Sequence, residues 1–190
     1  MQQTNWKENV ILIDANYLDE VVLDLIVNLE PMIGRSIPNA DLCQWLDCIA
    51  LDGGIRPGEN EIQVLFIHDK TKTSLKYFKP SSFEEELDAK AFKDSVGEFQ
   101  MASFPSEDVV TKDQLFLESL QTLINSVDIK NLMIVGDDLK YGDVARNYFK
   151  DARQKDLTYF SMEPVKGGRF FQEILGYSLM SALGINAEEV

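Results

Sequence analysis

Short, wholly apolar runs alternate with amphipathic stretches along this chain. Val10-Ile-Leu-Ile13, bounded by Asn9 and Asp14, has the continuous apolar character of a strand buried on both faces, so Asn9–Asp14 is predicted as the first strand. From Asn16 to Glu30 the apolar residues Leu18, Val21, Val22, Leu25, Ile26 and Leu29 follow helical spacing, and Pro31 and the Gly34–Pro38 region are expected to break that helix. Asn39 or Asp41 is positioned to cap a second helix through Leu51, carrying Leu42, Trp45, Leu46 and Ile49. Beyond a turn-rich loop, Asp52–Gly58, the run Glu61–His68 is a strand that closes at Asp69. Later in the chain the same reading gives a helix over Asp113–Val127, a strand at Leu132–Val135 and a helix over Tyr141–Ala152. A strand at Leu157–Ser161 and a strongly apolar C-terminal helix over 169–184 follow. Residues 70–110 are less regular, with a short edge strand at Ser74–Phe78, a helix at Phe83–Phe92 and a strand at Glu98–Ser103. Strands that alternate with helices predict an α/β fold: a three-layer, Rossmann-like, mostly parallel sheet with helices on both faces. Residues 1–190 are read as one domain with an irregular insertion at 70–110.

The acids at the strand ends change this picture from architecture to chemistry. Asp14 and Asn16 follow the first strand on the same side, since strand side chains alternate. Gly136-Asp137-Asp138 follows the strand at Leu132–Val135, and Asp69 closes the strand before it. In an open α/β sheet, ligands bind at the carboxyl ends of the strands, where gathered carboxylates serve a divalent metal or acid/base work. The simpler alternative is that Asp14, Asn16, Asp137 and Asp138 cap the helices that follow. Asp113 is likewise favoured at a helix start by the helix dipole alone.

This order of motifs resembles the NYN branch of the PIN-like nuclease superfamily, over roughly residues 8 to 162. The matching pieces are Asp14 and Asn16 on the first strand, Lys112-Asp113 at a mid-chain helix start, and Gly136-Asp137-Asp138 late in the chain. The resemblance implies a PIN-like sheet and an RNA phosphodiesterase. Asp14, Asn16 and Asp137 would be catalytic, and Asp14, Asp113, Asp137, Asp138 and Asp143 would hold Mg²⁺ or Mn²⁺ to generate hydroxide and neutralise charge on phosphate. Two departures stand out. Lys112 and Asp113 are adjacent rather than separated, and Leu139 stands where the family has a second acid, with Asp143 the nearest substitute.

Thr111-Lys112 and Gly136-Asp137-Asp138 through Asp143 also look like segments of haloacid-dehalogenase-like phosphatases, with Asp14 as nucleophile. Asn16 then occupies the acid/base position and cannot transfer a proton, which ranks this reading second. The third reading is a non-catalytic interaction module. In it Phe171, Leu175, Leu179 and Met180 of the C-terminal helix form a face for a second copy, an isologous homodimer.

Composition narrows the field further. The chain has 190 residues, 45% of them apolar, enough for a substantial core. Its net charge of −14, from 32 acids and 18 bases, repels polyanions and gives no obvious basic footprint for autonomous nucleic-acid binding. No apolar window approaches the ~18 residues of a transmembrane helix. The N-terminal residues 1–8 have neither the basic nor the apolar region of a secretion leader, and Cys43 and Cys48 form no disulfide or zinc pattern, so a reduced cytoplasm is expected. His68 is the one histidine, which excludes multi-histidine metal sites and reads as a satisfied strand-end residue. Gly53-Gly54 and Gly167-Gly168 lack the spacing of phosphate loops and read as turns, the second flanked by Lys166 and Arg169.

Overall fold

Strand β1 (Asn9–Asp14) lies in the middle of a seven-stranded sheet, with every one of its side chains buried. A computed structural model of the chain describes residues 5–190; residues 1–4, part of the segment expected to lack a leader, lie outside the described residues. The strands in chain order are β1, β2 (Ala40–Asp41), β3 (Glu61–His68), β4 (Phe78–Lys79), β5 (Lys90–Lys93), β6 (Glu98–Pro105), β7 (Asn131–Val135), β8 (Asp156–Ser161) and β9 (Phe171–Ile174). The main sheet has the order β5-β6-β3-β1-β7-β8-β9, parallel throughout except for the antiparallel β5–β6 pair. The chain builds outward from β1 to β3 and β6, then returns to β1's other side for β7 and β8. The order therefore reverses between β1 and β7, the crevice where α/β sheets place their ligands. Asp14 ends one of these strands and Asp137 follows the other.

Alternation along β1 divides the core into two. Ile11 and Ile13 face one hydrophobic cluster, whose helical members come from α1 (Ala15–Ile33), α2 (Leu42–Asp52) and α5 (Leu175–Ala182). Val10 and Leu12 face the other, filled by α3 (Lys112–Ile124) and α4 (Asp138–Tyr148). Three layers result, an α/β Rossmann-like arrangement with helices on both faces of a mostly parallel sheet.

The structure moves several predicted boundaries. Helix α1 runs through Pro31, which lies exposed in its last turn, and ends at Gly34, the other expected break, whose φ of 71° is the left-handed helix-stop conformation. Asp41, rather than Asn39, caps α2. Helix α4 starts three residues before the expected Tyr141, at Asp138. Ser74–Phe78 is not an edge strand of the main sheet: Phe78–Lys79 pairs with Ala40–Asp41 in a separate two-stranded ribbon. The predicted Phe83–Phe92 helix is a single wide turn, Phe83–Leu87, followed by strand β5. Ala89, at φ 56°, turns the chain between them, and Phe92 stacks on Phe99 of β6 with ring centres 4.6 Å apart. The C-terminal helix does not begin at 169, because Phe171–Ile174 pairs with β8 as the edge strand β9. That pairing disperses the face assigned to a second copy. Leu175 and Leu179 are fully buried within the chain, and Phe171 lies on the strand rather than the helix.

Candidate functional site

Asp14 is 0% exposed, and both of its oxygens are occupied. Oδ1 accepts from the backbone N–H of Tyr17, 3.1 Å away, which makes Asp14 the N-cap of α1. Oδ2 accepts from Lys112 Nζ at 2.6 Å and from the Tyr141 hydroxyl at 2.7 Å. Lys112 reaches this position because Thr111 and Gln114 form a capping box that begins α3 at the carboxyl edge of the sheet, beside β1. Its ammonium also lies 2.5 Å from Asp113 Oδ1, as an ion pair without hydrogen-bond alignment.

Tyr141 joins the two acid-tipped strands. Its hydroxyl donates to Asp14 and accepts from the backbone N–H of Asp137 at 2.9 Å. The residue sits at a break in α4, with φ −137° and ψ 16°, which turns its ring toward the sheet and against Phe116. Gly136 makes the approach possible: a Cβ there would lie 3.0 Å from the Tyr141 oxygen and 2.9 Å from the Phe116 ring. Asp137 itself caps α4, accepting from the Lys140 N–H at 3.2 Å, with Lys140 Nζ 3.6 Å from its other oxygen.

The remaining predicted acids belong to two separate clusters. Asn16 Oδ1 accepts from the Asp69 N–H at 3.0 Å and so ties α1 to the end of β3. The Asp69 carboxylate turns away to the N–H and hydroxyl of Thr71, at 2.8 and 2.7 Å, and these bonds hold its pKa below the usual carboxylate range. Asp138 pairs with Arg146 and accepts from the Tyr159 hydroxyl at 2.8 Å. Arg146 extends to Asp143 at 2.7 Å, and the Asp143 side chain is 100% exposed. Gly142 makes room for this pair, since a Cβ there would fall 2.6 Å from the Asp138 carboxyl carbon. His68 is buried against Phe83, the rings 3.9 Å apart and parallel to within 9°, with Nδ1 3.0 Å from the Asp69 carbonyl. That is the satisfied strand-end histidine the sequence suggested.

The electrostatics follow from this wiring. Burial pushes the Lys112 ammonium down, but Asp14 and Asp113 more than offset it and hold its pKa above the ordinary lysine value. Burial, then the Asp14 carboxylate, pushes the Tyr141 phenol far up, so it stays a hydrogen-bond donor. Burial and the nearby Asp137, Asp138 and Asp14 push Tyr17 up to about 12.

A divalent Mg²⁺ or Mn²⁺ requires several oxygen ligands about 2.0–2.2 Å away. Here the Lys112 ammonium stands between Asp14 and Asp113, a cation supplied by the chain itself. Among the described residues, no group of three or more His, Cys, Asp or Glu side chains is arranged to hold a metal ion. In this arrangement the residues do not fit the metal that the resemblance implies.

The structure thus unites Asp14, Lys112, Asp113 and, through Tyr141, Asp137, while Asn16 with Asp69 and Asp138 with Asp143 stand in flanking networks. Sequence reasoning missed Tyr141, Tyr17, Tyr159 and Arg146 as members. The signal for Tyr141 was its place four residues after Asp137, between Gly136 and Gly142, two glycines that a helix-forming stretch has no other reason to carry. The chain belongs to a family of unknown function, DUF6621, whose family model matches residues 3–190. Compared with the curated proteins and with the solved structures, it matches none.

Proposed function

We propose that this chain is a PIN-like fold of the NYN type whose catalytic position has become an internal ion-paired lock, and that it acts as a non-catalytic binding module. The observation that supports this reading is the enclosure of Asp14: fully buried, with Tyr17, Lys112 and Tyr141 donating to three of the roughly four acceptor sites of its carboxylate. A carboxylate that coordinates metal, or attacks a phosphoester, needs a free lone pair facing the substrate. Exposing one here means displacing a lysine whose side chain is only 10% exposed, and breaking a buried ion pair costs about 3–5 kcal/mol. The dehalogenase-like alternative meets the same obstacle at Asp14, and Asn16 at its acid/base position already holds the Asp69 N–H.

The test is incubation of the purified chain with single-stranded RNA and with a phosphomonoester panel, in Mg²⁺ or Mn²⁺. The expected result is no turnover above that of Asp14→Asn and Asp137→Asn. Metal-dependent cleavage that disappears in those variants while they remain folded would overturn the reading.

A further inference from the structure

A basic groove lies beside the lock, on the outer flank of α4. It encloses about 560 Å³ between the C-terminal half of that helix and the loop that leads into β9. Of its ten lining residues four are bases, Arg146, Lys150, Lys166 and Arg169, against a single acid, Asp143. In a chain of net charge −14 this is a local reversal of sign. Asp143 is already bonded to Arg146, whose guanidinium also holds Asp138. Lys150, Lys166 and Arg169 have no carboxylate partner among the described residues; the Lys150 ammonium donates only to Asn147 Oδ1, at 3.2 Å.

The loop that carries two of these cations is anchored to the core. Phe170 packs against Phe149 and Tyr159, with ring centres 5.1 and 6.1 Å away. Gly168 permits that seat, because a Cβ there would lie 2.9 Å from the Phe170 ring. The Val165 N–H is bound by Gln172 Oε1 at 3.0 Å, which fixes the loop's other end to β9. Around Gly167 the space is open, with only Gln172 Nε2, 3.8 Å from a notional Cβ, nearby. Lys166 and Arg169 are thus held at the rim of a groove whose wall includes the half-buried Phe170.

We infer that this groove binds a multiply charged phosphate group, of the pyrophosphate type, either free or carried on a nucleoside. Three unpaired cations at one groove match a polyanion rather than a single carboxylate, and the arginine fork suits phosphate oxygens. The volume is within the range of small-molecule sites, and the half-buried Phe170 in the lining offers an apolar surface to a base. Phosphate binding here does not depend on whether the Asp14 centre is catalytic, so the two readings fail separately.

The experiment is calorimetric titration of the full chain with pyrophosphate and, separately, with ADP, both without added metal. The expected result is saturable one-to-one binding that weakens at least about tenfold in the Lys166→Glu/Arg169→Glu double variant. Lys90→Glu, on strand β5 at the opposite edge of the sheet, is expected to bind as the wild type does. Equal affinities for the two probes assign recognition to the phosphates alone; tighter binding of ADP adds the nucleoside. Both side chains of the double variant are exposed, so its fold is expected to persist, which circular dichroism checks. Absence of binding by either probe would overturn the inference, as would unchanged binding in the double variant or an equal loss in Lys90→Glu. Binding of a single-stranded oligonucleotide more tightly than either probe, over a site longer than the groove, would replace it with an extended nucleic-acid surface.

Discussion

Tyr141 carries the centre at the scale of single residues, since one hydroxyl serves both Asp14 and the Asp137 backbone. Tyr141→Phe keeps the ring against Phe116 but deprives Asp14 of a donor and leaves the Asp137 N–H without its partner. The expected loss is about 1–3 kcal/mol in urea unfolding, typical of a buried polar group left unsatisfied. Lys112→Met is expected to cost more, about 3–5 kcal/mol, because it strands a buried carboxylate. Equal, small effects of both substitutions would contradict the proposed lock. A second acid pair offers a pH test. Asp47 is pushed up to about 7 by burial and by the neighbouring Asp94 carboxyl, and its Oδ1 is buried without a hydrogen-bond partner. The folded state holds this proton more tightly than the unfolded chain, so the contribution is full below about pH 4 and is lost as pH rises to about 7. Asp47→Asn is therefore expected to stabilise the protein near pH 8, by at most about 1 kcal/mol because the pair is partly solvated, and to change little near pH 4. A gain at pH 4 that vanishes at pH 8 would contradict the assignment.

Elements were legible where burial is two-sided and obscure where it is one-sided. The runs Val10–Ile13 and Leu132–Val135 have no polar face, and nothing but a central parallel strand accommodates them. The edge strands β5 and β9 are short, the first largely exposed and the second only half-buried, and their sequences carry no such run. Phe171–Ile174 passes straight into the apolar Leu175–Ala182, so its hydrophobicity reads as one long helix although the first four residues pair with β8. The Phe83–Phe92 segment misled for a related reason. Its acids and leucine suit a helix, yet Ala89 holds a left-handed conformation that directs the chain into β5. Ala89→Gly is expected to raise stability by about 0.5–1 kcal/mol, measured in urea, by removing the Cβ penalty of that conformation. Destabilisation of similar size would mean that the Ala89 methyl group contributes more by packing than it costs in strain. The site followed the same division. Asp14, Asp69 and Asp137 announced themselves because each ends or follows a legible strand, whereas the bonds of Tyr141 to Asp14 and of Tyr159 to Asp138 are made only by tertiary folding.

Taken whole, the molecule sets a closed, ion-paired centre beside a groove lined mainly by bases. At the reversal of strand order, where this architecture ordinarily opens a ligand crevice, Tyr141 bridges the ends of β1 and β7 and Lys112 covers Asp14. One flank away, Arg146, Lys150, Lys166 and Arg169 open a groove of the opposite sign. Asp138, bonded to Arg146, links the two regions, and Gly142 leaves room for that bond. In the proposed reading Lys112 fills the place of a metal. Thermal unfolding of the wild-type chain titrated with Mn²⁺ tests it most directly. A metal bound at one hundred times its dissociation constant adds about 2.7 kcal/mol, and a chain of this size gains about 2–4 °C per kcal/mol. The prediction is a flat melting temperature across the titration. A saturable rise of that size, lost in Asp14→Asn, would contradict it.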